Sequence, residues 1–264
     1  MSDTPAQNTS SIERRRVLQG AAWAAPVLAV AAVAPGASAS PCTQQYPGSV
    51  RFAATTGAGA QPANYVAGTG ANATLNGSAN ITLVGAPAQV TPFTATITST
   101  AITAGYTRNA NNLALSTPTV AGGGAGTTPR LAIWQASPTG STATTVGQTV
   151  TFNFPRPVRN LTFDLLGMTR SQATYSDAVF LTGPAFTVTG ALGSQVSGAG
   201  TSASPWLTTA ENANQGQTSA ANSITGIRFA GPLTTFSLRY WSTIGSGQGQ
   251  AVFLSNMTFT ASCS

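Results

Sequence analysis

The chain has 264 residues, with 11 arginines, five acidic residues, no lysine and no histidine. Without histidine, Ser-His-Asp and Cys-His triads and histidine-ligated zinc sites are excluded, because each requires an imidazole. Without lysine, Schiff-base chemistry and a Walker-type phosphate-binding loop are excluded as well. The composition therefore leaves few classes of enzyme open.

Residues 1–39 have the features of an export signal. A basic segment that includes Arg14 and Arg15 precedes an apolar, alanine-rich run. Ala37 and Ala39 are the two small residues of a signal-peptidase site, which predicts cleavage after Ala39. The segment RRRVLQ also resembles the twin-arginine signature, whose route exports proteins already folded in the cytoplasm. We expect export by the twin-arginine route; an ordinary secretory signal with an extra arginine is the alternative.

The apolar run within this signal is a poor membrane anchor. It starts at Ala21, consists mostly of alanine, is interrupted by Pro26 and ends at Pro35. A membrane-spanning helix needs about 20 consecutive, predominantly apolar residues. We therefore expect no stable membrane anchor in the mature chain, and a location that is secreted or on the cell surface.

The two cysteines, Cys42 and Cys263, lie close to the ends of the mature chain. In an exported protein an even pair of this kind predicts one disulfide, with two free thiols as the alternative. The bond would close a loop of about 220 residues and contribute at most roughly 5 kcal/mol in the chain-entropy model. It also implies that the first and last strands lie side by side.

The mature segment, residues 40–264, is rich in Thr, Ala, Gly, Ser, Asn and Val, a composition typical of β-structure. Its length suits one large β-domain or two small ones. Glycine-rich and Ser-Pro-Thr-Gly stretches at 122–124 and 137–140 leave a subdivision near residue 145 open. We expect one domain, because a bond between the two cysteines is easier to place when both termini belong to one sheet.

Alternation with a period of two recurs along the mature chain. In 89–103, Phe93, Ala95 and Ile97 alternate with threonines, which predicts a strand with one buried face and one hydroxyl-lined face. The next alternating run ends at Phe154, and the prolines in Pro155-Arg-Pro157 predict a break in the strand ladder. Beyond this break the alternation resumes with opposite parity, which requires a turn, a bulge or a switch between sheets.

Further strands are predicted at 178–182, 186–190, 224–229, 235–241 and 251–261. Gly, Pro, Asn and Ser lie between these segments. Short strands separated by frequent turn signals are typical of an antiparallel β-sandwich or jelly roll. The expected fold class is therefore all-β.

The eight arginines that follow residue 39 are scattered, and only Arg156 and Arg159 lie close together in the sequence. A nucleic-acid-binding surface requires clustered basic residues, so no nucleic-acid partner is expected. Solvated or stacked arginines are the expected interpretation, with weak attraction to an anionic cell-wall polymer as the alternative.

Three segments of the chain resemble a group of actinobacterial twin-arginine-exported β-sandwich surface proteins. They are residues 149–183, the stretch PWLTT around Trp206, and the C-terminal run GQGQAVFLSNMTFTASC. The group's pattern is a strand, a turn with proline, a second strand that ends in an acidic segment, and Tyr or Phe followed by Asp. Two acids usually follow the second strand, whereas this chain has Asp164-Leu165-Leu166. The shared motifs are structural rather than catalytic, and this departure weakens any calcium site carried over from the group.

The mature chain contains only three carboxylates, Asp164, Asp177 and Glu211. The first two could approach each other across a hairpin and bind calcium through oxygen ligands, or serve as the acid pair of a glycosidase. The expected interpretation is that both accept local backbone hydrogen bonds, as aspartates commonly do in turns. Glu211 is expected to be solvated in a polar loop.

Three tryptophans are candidates for stacking on a sugar ring. Trp134, in the apolar segment LAIWQ, is expected to pack in the core. Trp206 follows Pro205. Trp241 is next to Tyr240, which is expected to point inward, so alternation places Trp241 on the other face of the strand. Both are expected to be more exposed than Trp134 and are possible ligand residues.

The sequence therefore predicts an exported, non-enzymatic interaction or structural protein of the cell surface or extracellular medium, with adhesion as one such role. Its partner is expected to be a cell-wall polymer, a polysaccharide or a surface protein. The alternatives are a lectin-like carbohydrate-binding module, with or without calcium, and a glycosidase. No cofactor is expected, with calcium as the alternative.

Overall fold

A computed structural model describes residues 44–70, 74–101, 107–108, 110–118, 127–136, 147–171, 174–211, 217–245 and 249–263. The export signal and Cys42 lie outside these residues. Among the described residues there is no α-helix, and no helix has the length and apolarity needed to cross a membrane. Every strand pairing is antiparallel, which confirms the expected all-β fold class.

The strands are β1 (Gln45–Val50), β2 (Tyr65–Ala67), β3 (Asn76–Ile81), β4 (Phe93–Ala101), β5 (Thr107–Arg108), β6 (Leu115–Ser116), β7 (Arg130–Ala136), β8 (Gln148–Leu166), β9 (Arg170–Ser171), β10 (Tyr175–Thr182), β11 (Thr187–Val188), β12 (Val196–Ser197), β13 (Trp206–Thr208), β14 (Ile224–Phe229), β15 (Leu233–Gly245), β16 (Gly249–Leu254) and β17 (Met257–Ser262). A short 3-10 helix spans Ala220–Asn222.

Backbone hydrogen bonds join the strands into one continuous sheet, which folds into two layers. The layer that we call the front sheet has the order β2, β3, β4, β8, β15, β10, β13, β12. The back sheet has the order β1, β17, β8, β14, β11. The strand β16 pairs with the end of β8 in this sheet and, on its other side, with β7. The strand β8 belongs to both layers.

The long strand β8 changes layer at the proline segment. Residues 148–153 pair with β4 and β15 in the front sheet, and the ladder resumes at Val158 with β17 and β15. Asn160 has a φ of 53°, and the register with β17 shifts by one residue beside it. The predicted ladder break and parity change are confirmed, although the backbone stays extended through Pro155 and Pro157.

Aromatic side chains fill the space between the two layers. Phe236 of the front sheet stacks on Phe152 at 4.6 Å between ring centroids and lies 5.5 Å from Phe163 of the back sheet. Phe259 of the back sheet packs edge-to-face against Phe154, with 5.5 Å between the ring centroids, and lies tilted against Phe93 at 6.4 Å. Phe93, Ala95 and Ile97 are all buried, so the predicted alternation in β4 is confirmed.

The first and last strands of the described chain lie side by side, as expected. In β1 and β17 the pairs run from Gln45 opposite Ser262 to Val50 opposite Met257. The disulfide stays a prediction, because Cys42 lies outside the described residues. Residues 44–264 form one compact unit, and the pairing of β4 with β8 joins segments on both sides of residue 145.

The segment 251–261 forms two strands, so the prediction of a single strand there is wrong. β16 ends at Leu254 and β17 begins at Met257. Between them, Asn256 accepts hydrogen bonds from the backbone N–H groups of Phe52 and Ala53 and donates one to the Ala53 carbonyl. The Asn256 side chain thus forms hydrogen bonds with backbone groups that would otherwise need a paired strand, and the chain turns at this residue.

Candidate functional site

Trp206 is buried, so the expectation that it is exposed is wrong. Its side chain is 1% exposed and packs edge-to-face against Phe186, with 5.7 Å between the ring centroids. A Cβ at Gly200 would lie 2.4 Å from the indole ring, so a residue without a side chain is needed there. Trp206 is therefore part of the core rather than a sugar-stacking platform.

Trp241 is also 1% exposed, which corrects the second expectation of exposure. Tyr240 faces the main core, whereas Trp241 belongs to a separate cluster with Phe180 and Ala178, so the predicted alternation itself holds. This cluster includes the half-buried Leu207 and an edge-to-face contact between Phe180 and Trp241. Where Trp241 and Phe180 lie, the outer face of the front sheet is therefore buried and not exposed to solvent.

Trp134 lies in β7 and is half-buried. It packs at the edge of a small apolar cluster that includes Ala132 and Phe253. Packing is therefore the observed role of Trp134, although the cluster is separate from the main core.

Asp177 is a fully buried carboxyl group on the inner face of β10. Its Oδ2 accepts hydrogen bonds from the backbone N–H of Thr169 at 2.8 Å and from the Thr169 hydroxyl at 3.2 Å. Its Oδ1 accepts one from the Tyr240 hydroxyl at 2.7 Å. Burial raises the pKa of Asp177 to about 7, and the three hydrogen bonds oppose this rise without cancelling it. This carboxyl group has no solvent-exposed surface through which to reach a substrate.

Asp164 lies in a different environment from Asp177. It is half-buried in the back-sheet part of β8, and its Oδ1 accepts a hydrogen bond from the N–H of Gly226 at 2.8 Å. The strand β8 pairs with β14 and β17 here and not with β10, so the two aspartates do not face each other across a hairpin. Both accept backbone hydrogen bonds, but both lie within strands and not in turns as expected, and the donor to Asp164 is distant in sequence.

Glu211 forms an ion pair with Arg170 at 3.5 Å. Burial raises the pKa of the Tyr175 hydroxyl, and the nearby carboxylates of Asp177 and Glu211 raise it further.

Within the described parts of the chain, no group of three or more His, Cys, Asp or Glu residues is arranged to hold a metal ion.

Buried polar side chains lie close together at one end of several strands, and we call this region the polar end. Its members are Ser99, Gln135, Gln148, Asp177, Tyr240 and Gln250. Ser99 of β4 donates to Gln148 Oε1 at 2.7 Å, and Gln148 Nε2 donates to the Trp134 carbonyl at 3.3 Å. Gln250 is 3% exposed and lies opposite Gln135 on the adjacent strand. The Tyr240 to Asp177 hydrogen bond belongs to the same end, because Tyr240 pairs with Gln148.

Away from the polar end, the outer face of the front sheet carries hydroxyl and amide side chains that are exposed or half-buried. We call this surface the neutral face. It consists of Asn76, Ser78, Asn80, Thr94, Thr96, Thr98, Thr151, Asn153, Thr182, Thr235 and Ser237.

Strand register aligns the side chains of the neutral face in rows. One row runs through Asn76, Thr98, Thr151, Ser237 and Thr182 on five adjacent strands. The next runs through Val66, Ser78, Thr96, Asn153 and Thr235. None of the side chains in either row is charged. Arg239 follows on the same face, but it is only 4% exposed, and its guanidinium lies 3.4 Å from the Thr149 hydroxyl.

One corner of the neutral face is concave. A groove of about 340 Å³ is lined by Val66, Ala67, Asn76, Ser78, Thr96 and Thr98. The side chain of Val66 is 65% exposed. The groove therefore combines an apolar wall with hydroxyl and amide groups.

A larger groove of about 620 Å³ lies near Trp206. It is lined by Thr182, Pro184 and Phe186 on one side and by Thr201 and Ser202 on the other. Trp206 packs beneath it through Phe186 and does not line it. The expected ligand tryptophan thus supports the floor of this groove from inside the core.

The outer face of the back sheet differs from the neutral face in its charge. It also carries threonines, such as Thr162 beside Thr258. Arg228 and Arg159 are exposed there, and Arg228 donates to the Asn160 side chain at 2.6 Å. The two outer faces of the sandwich therefore present different chemistry to a partner.

Sequence reasoning found part of the neutral face and missed the rest. The alternation in β4 predicted a hydroxyl-lined side, and Thr94, Thr96 and Thr98 form it. The contributions of β3, β8 and β15 depend on pairing between distant segments, for which a single strand gives no signal. Val66 was missed because β2 has only three residues.

Comparisons with protein-family models, curated proteins and solved structures find no match to this chain. The resemblance to actinobacterial exported β-sandwich proteins therefore stays a prediction.

Proposed function

We propose that the protein is an exported, non-enzymatic interaction module that acts at the cell surface or in the extracellular medium and binds a neutral polysaccharide through the neutral face. The observation that carries the proposal is the pair of uncharged rows across five strands each, in which every side chain except Val66 is a hydroxyl or an amide. Export is inferred from Arg14, Arg15, Ala37 and Ala39 of the signal.

The chemistry of the neutral face suits a ligand rich in hydroxyl groups. Serine and threonine hydroxyls donate and accept hydrogen bonds, and asparagine amides do the same through separate atoms. Adjacent strands lie about 4.8 Å apart, and side chains on one face of a strand recur about every 6.7 Å. A sheet therefore holds these groups in a fixed array, and rigid groups lose little conformational entropy when they bind a ligand.

The carboxylates support a non-enzymatic role. Asp177 is fully buried with its oxygens hydrogen-bonded, Glu211 pairs with Arg170, and Asp164 caps the N–H of Gly226. A glycosidase needs two carboxyl groups that both reach the scissile bond, at roughly 5 to 10 Å from each other. A group with the surroundings of Asp177 does not reach a bound polymer.

The proposal is tested by binding of the purified protein to an array of neutral polysaccharides, anionic cell-wall polymers and uncharged control surfaces. Each measurement is made in calcium and in chelator, at low and at high salt. We expect binding to neutral polysaccharides that survives both chelator and high salt, because hydrogen bonds between neutral groups do not depend on counterions. Loss of binding in chelator would favour a calcium-assisted lectin, and loss in high salt would favour the arginines and an anionic polymer.

The two outer faces provide matched variants for this test. Thr98→Val removes a hydroxyl from a neutral-face row, between Asn76 and Thr151, and Thr258→Val does the same between Ser49 and Thr162 on the back sheet. We expect weaker binding for Thr98→Val only. Equal binding by both variants and the unmodified protein would contradict the assignment to the neutral face.

A further inference from the structure

The groove at the corner of the neutral face places an apolar side chain next to hydrogen-bonding groups. Val66 is the most exposed of the large apolar side chains in the described part of the chain, at 65%. It lies opposite Ser78, whose row continues to Thr96. An exposed valine with hydroxyl neighbours can contact a methyl group while the hydroxyls bond to the polar atoms next to it.

Core packing holds Val66 at this position. Its neighbour Tyr65 points into the core and donates a hydrogen bond to the Leu113 carbonyl at 2.7 Å. The Tyr65 ring passes beneath Gly77, where a Cβ would lie 2.0 Å from the phenol oxygen. Because successive side chains of a strand point to opposite faces, the anchored Tyr65 turns Val66 outward into the groove.

We infer that this groove binds the N-acetyl group of an N-acetylated hexosamine in a neutral polysaccharide. The acetamido methyl group contacts Val66, and the amide N–H and C=O bond to the Ser78, Thr96 and Thr98 hydroxyls and the Asn76 amide. The inference rests on the proposed function, because it assigns a sugar class to the same face.

The absence of charge and of aromatic rings among the groove residues narrows the ligand class. An unacetylated hexosamine carries an ammonium group and favours a carboxylate partner, whereas a uronic acid favours arginine. The groove presents neither. It also has no aromatic ring on which a sugar can stack, so the substituent of the sugar supplies the apolar contact.

The test compares binding of the purified protein to chitin, to de-acetylated chitin and to an unsubstituted β-glucan. We expect the tightest binding to chitin. Val66→Ser should reduce the affinity for chitin by roughly ten-fold or more, since an apolar contact of this size discriminates by about that factor. Its effect on binding to the glucan should be small.

Val84→Ser is the matched control, because Val84 is 51% exposed and does not line the groove. Both variants should keep the thermal midpoint of the unmodified protein, which shows that a change in binding does not come from unfolding. The control should bind chitin as the unmodified protein does.

The outcomes separate this inference from the proposed function. Equal binding to chitin, its de-acetylated form and the glucan, or an unchanged chitin affinity in Val66→Ser, would overturn the N-acetyl assignment and leave the polysaccharide function in place. Binding to none of the three polymers would overturn both. Binding to chitin that Val66→Ser weakens selectively would support both.

Discussion

Thr98 and Ser99 are consecutive residues of β4, and they belong to two regions that place polar groups in opposite surroundings. Thr98 lies half-buried in the neutral face, whereas Ser99 is 6% exposed in the polar end and donates to Gln148. Water can hydrogen-bond to side chains of the neutral face, whereas it is excluded from much of the polar end. The comparison indicates that hydroxyls of the neutral face are available to a ligand, whereas those of the polar end stabilise the fold.

Substitutions inside the molecule should therefore change stability and leave binding intact, while substitutions on the neutral face should do the reverse. The largest expected effect is that of Trp206→Ala. Removal of a buried indole should lower the free energy of unfolding by about 3–5 kcal/mol, because it leaves a cavity beside Phe186. Denaturant-induced unfolding measures this change. Weaker polysaccharide binding with unchanged stability would show instead that Trp206 is a ligand residue.

Asp177→Asn should remove a pH dependence of stability. Burial raises the carboxyl pKa of Asp177 from its ordinary value of 3.8 to about 7 in the folded protein. Between these values the unfolded chain loses its proton while the folded protein keeps it, so stability falls as the pH rises. The maximum slope is roughly 1.4 kcal/mol per pH unit.

Unfolding by denaturant at several pH values between 4 and 8 checks this prediction for Asp177. The asparagine variant should retain a donor and an acceptor for Tyr240 and Thr169 and show a flatter profile. The sign of the argument would be contradicted if the unmodified protein became more stable across this window and the variant did not.

Tyr240→Phe should have a smaller effect, which depends on the same carboxyl group. Removal of the phenol hydroxyl takes away the 2.7 Å hydrogen bond to Asp177 Oδ1. A buried group that loses its partner destabilises a protein by roughly 1–3 kcal/mol. Because this hydrogen bond lowers the pKa of Asp177, its loss should extend the fall in stability to higher pH. An unchanged pH profile would contradict the coupling of the two groups.

Thr98→Val should have the smallest effect on stability. The side chain is half-buried on the outer face, and valine is well tolerated in strands, so the free energy of unfolding should change by at most about 0.5 kcal/mol. Thermal unfolding and polysaccharide binding are measured on the same preparation. A large loss of stability together with unchanged binding would reverse the distinction between the two regions.

The sequence predicted those features of the fold that depend on neighbouring residues. Alternation in β4 and in both halves of β8 was recognised because a period of two identifies which side chains share a face. The segment 224–229 was predicted with the bounds that β14 has in the structure. The parity change near Asn160 was also visible locally, since a one-residue shift moves every following side chain to the other face.

The candidate site could not be predicted to the same extent. Trp206 and Trp241 were expected to be exposed, but their burial depends on Phe186 and Phe180, which reach them only after folding. The hairpin between Asp164 and Asp177 was wrong because β15, and not β8, pairs with β10. In each case the missing information was the identity of a neighbour distant in sequence.

The sequence by itself determined the all-β class, the outward position of the β4 threonines and the break and parity change in β8, because backbone geometry and proline chemistry act over a few residues. Only the tertiary structure decided which strands align Thr98 with Asn76 and Thr151, and which polar groups are buried beside Tyr240. The physical reason is that strand register and coverage of a face arise from contacts between segments far apart in the chain. The neutral face is the product of that register.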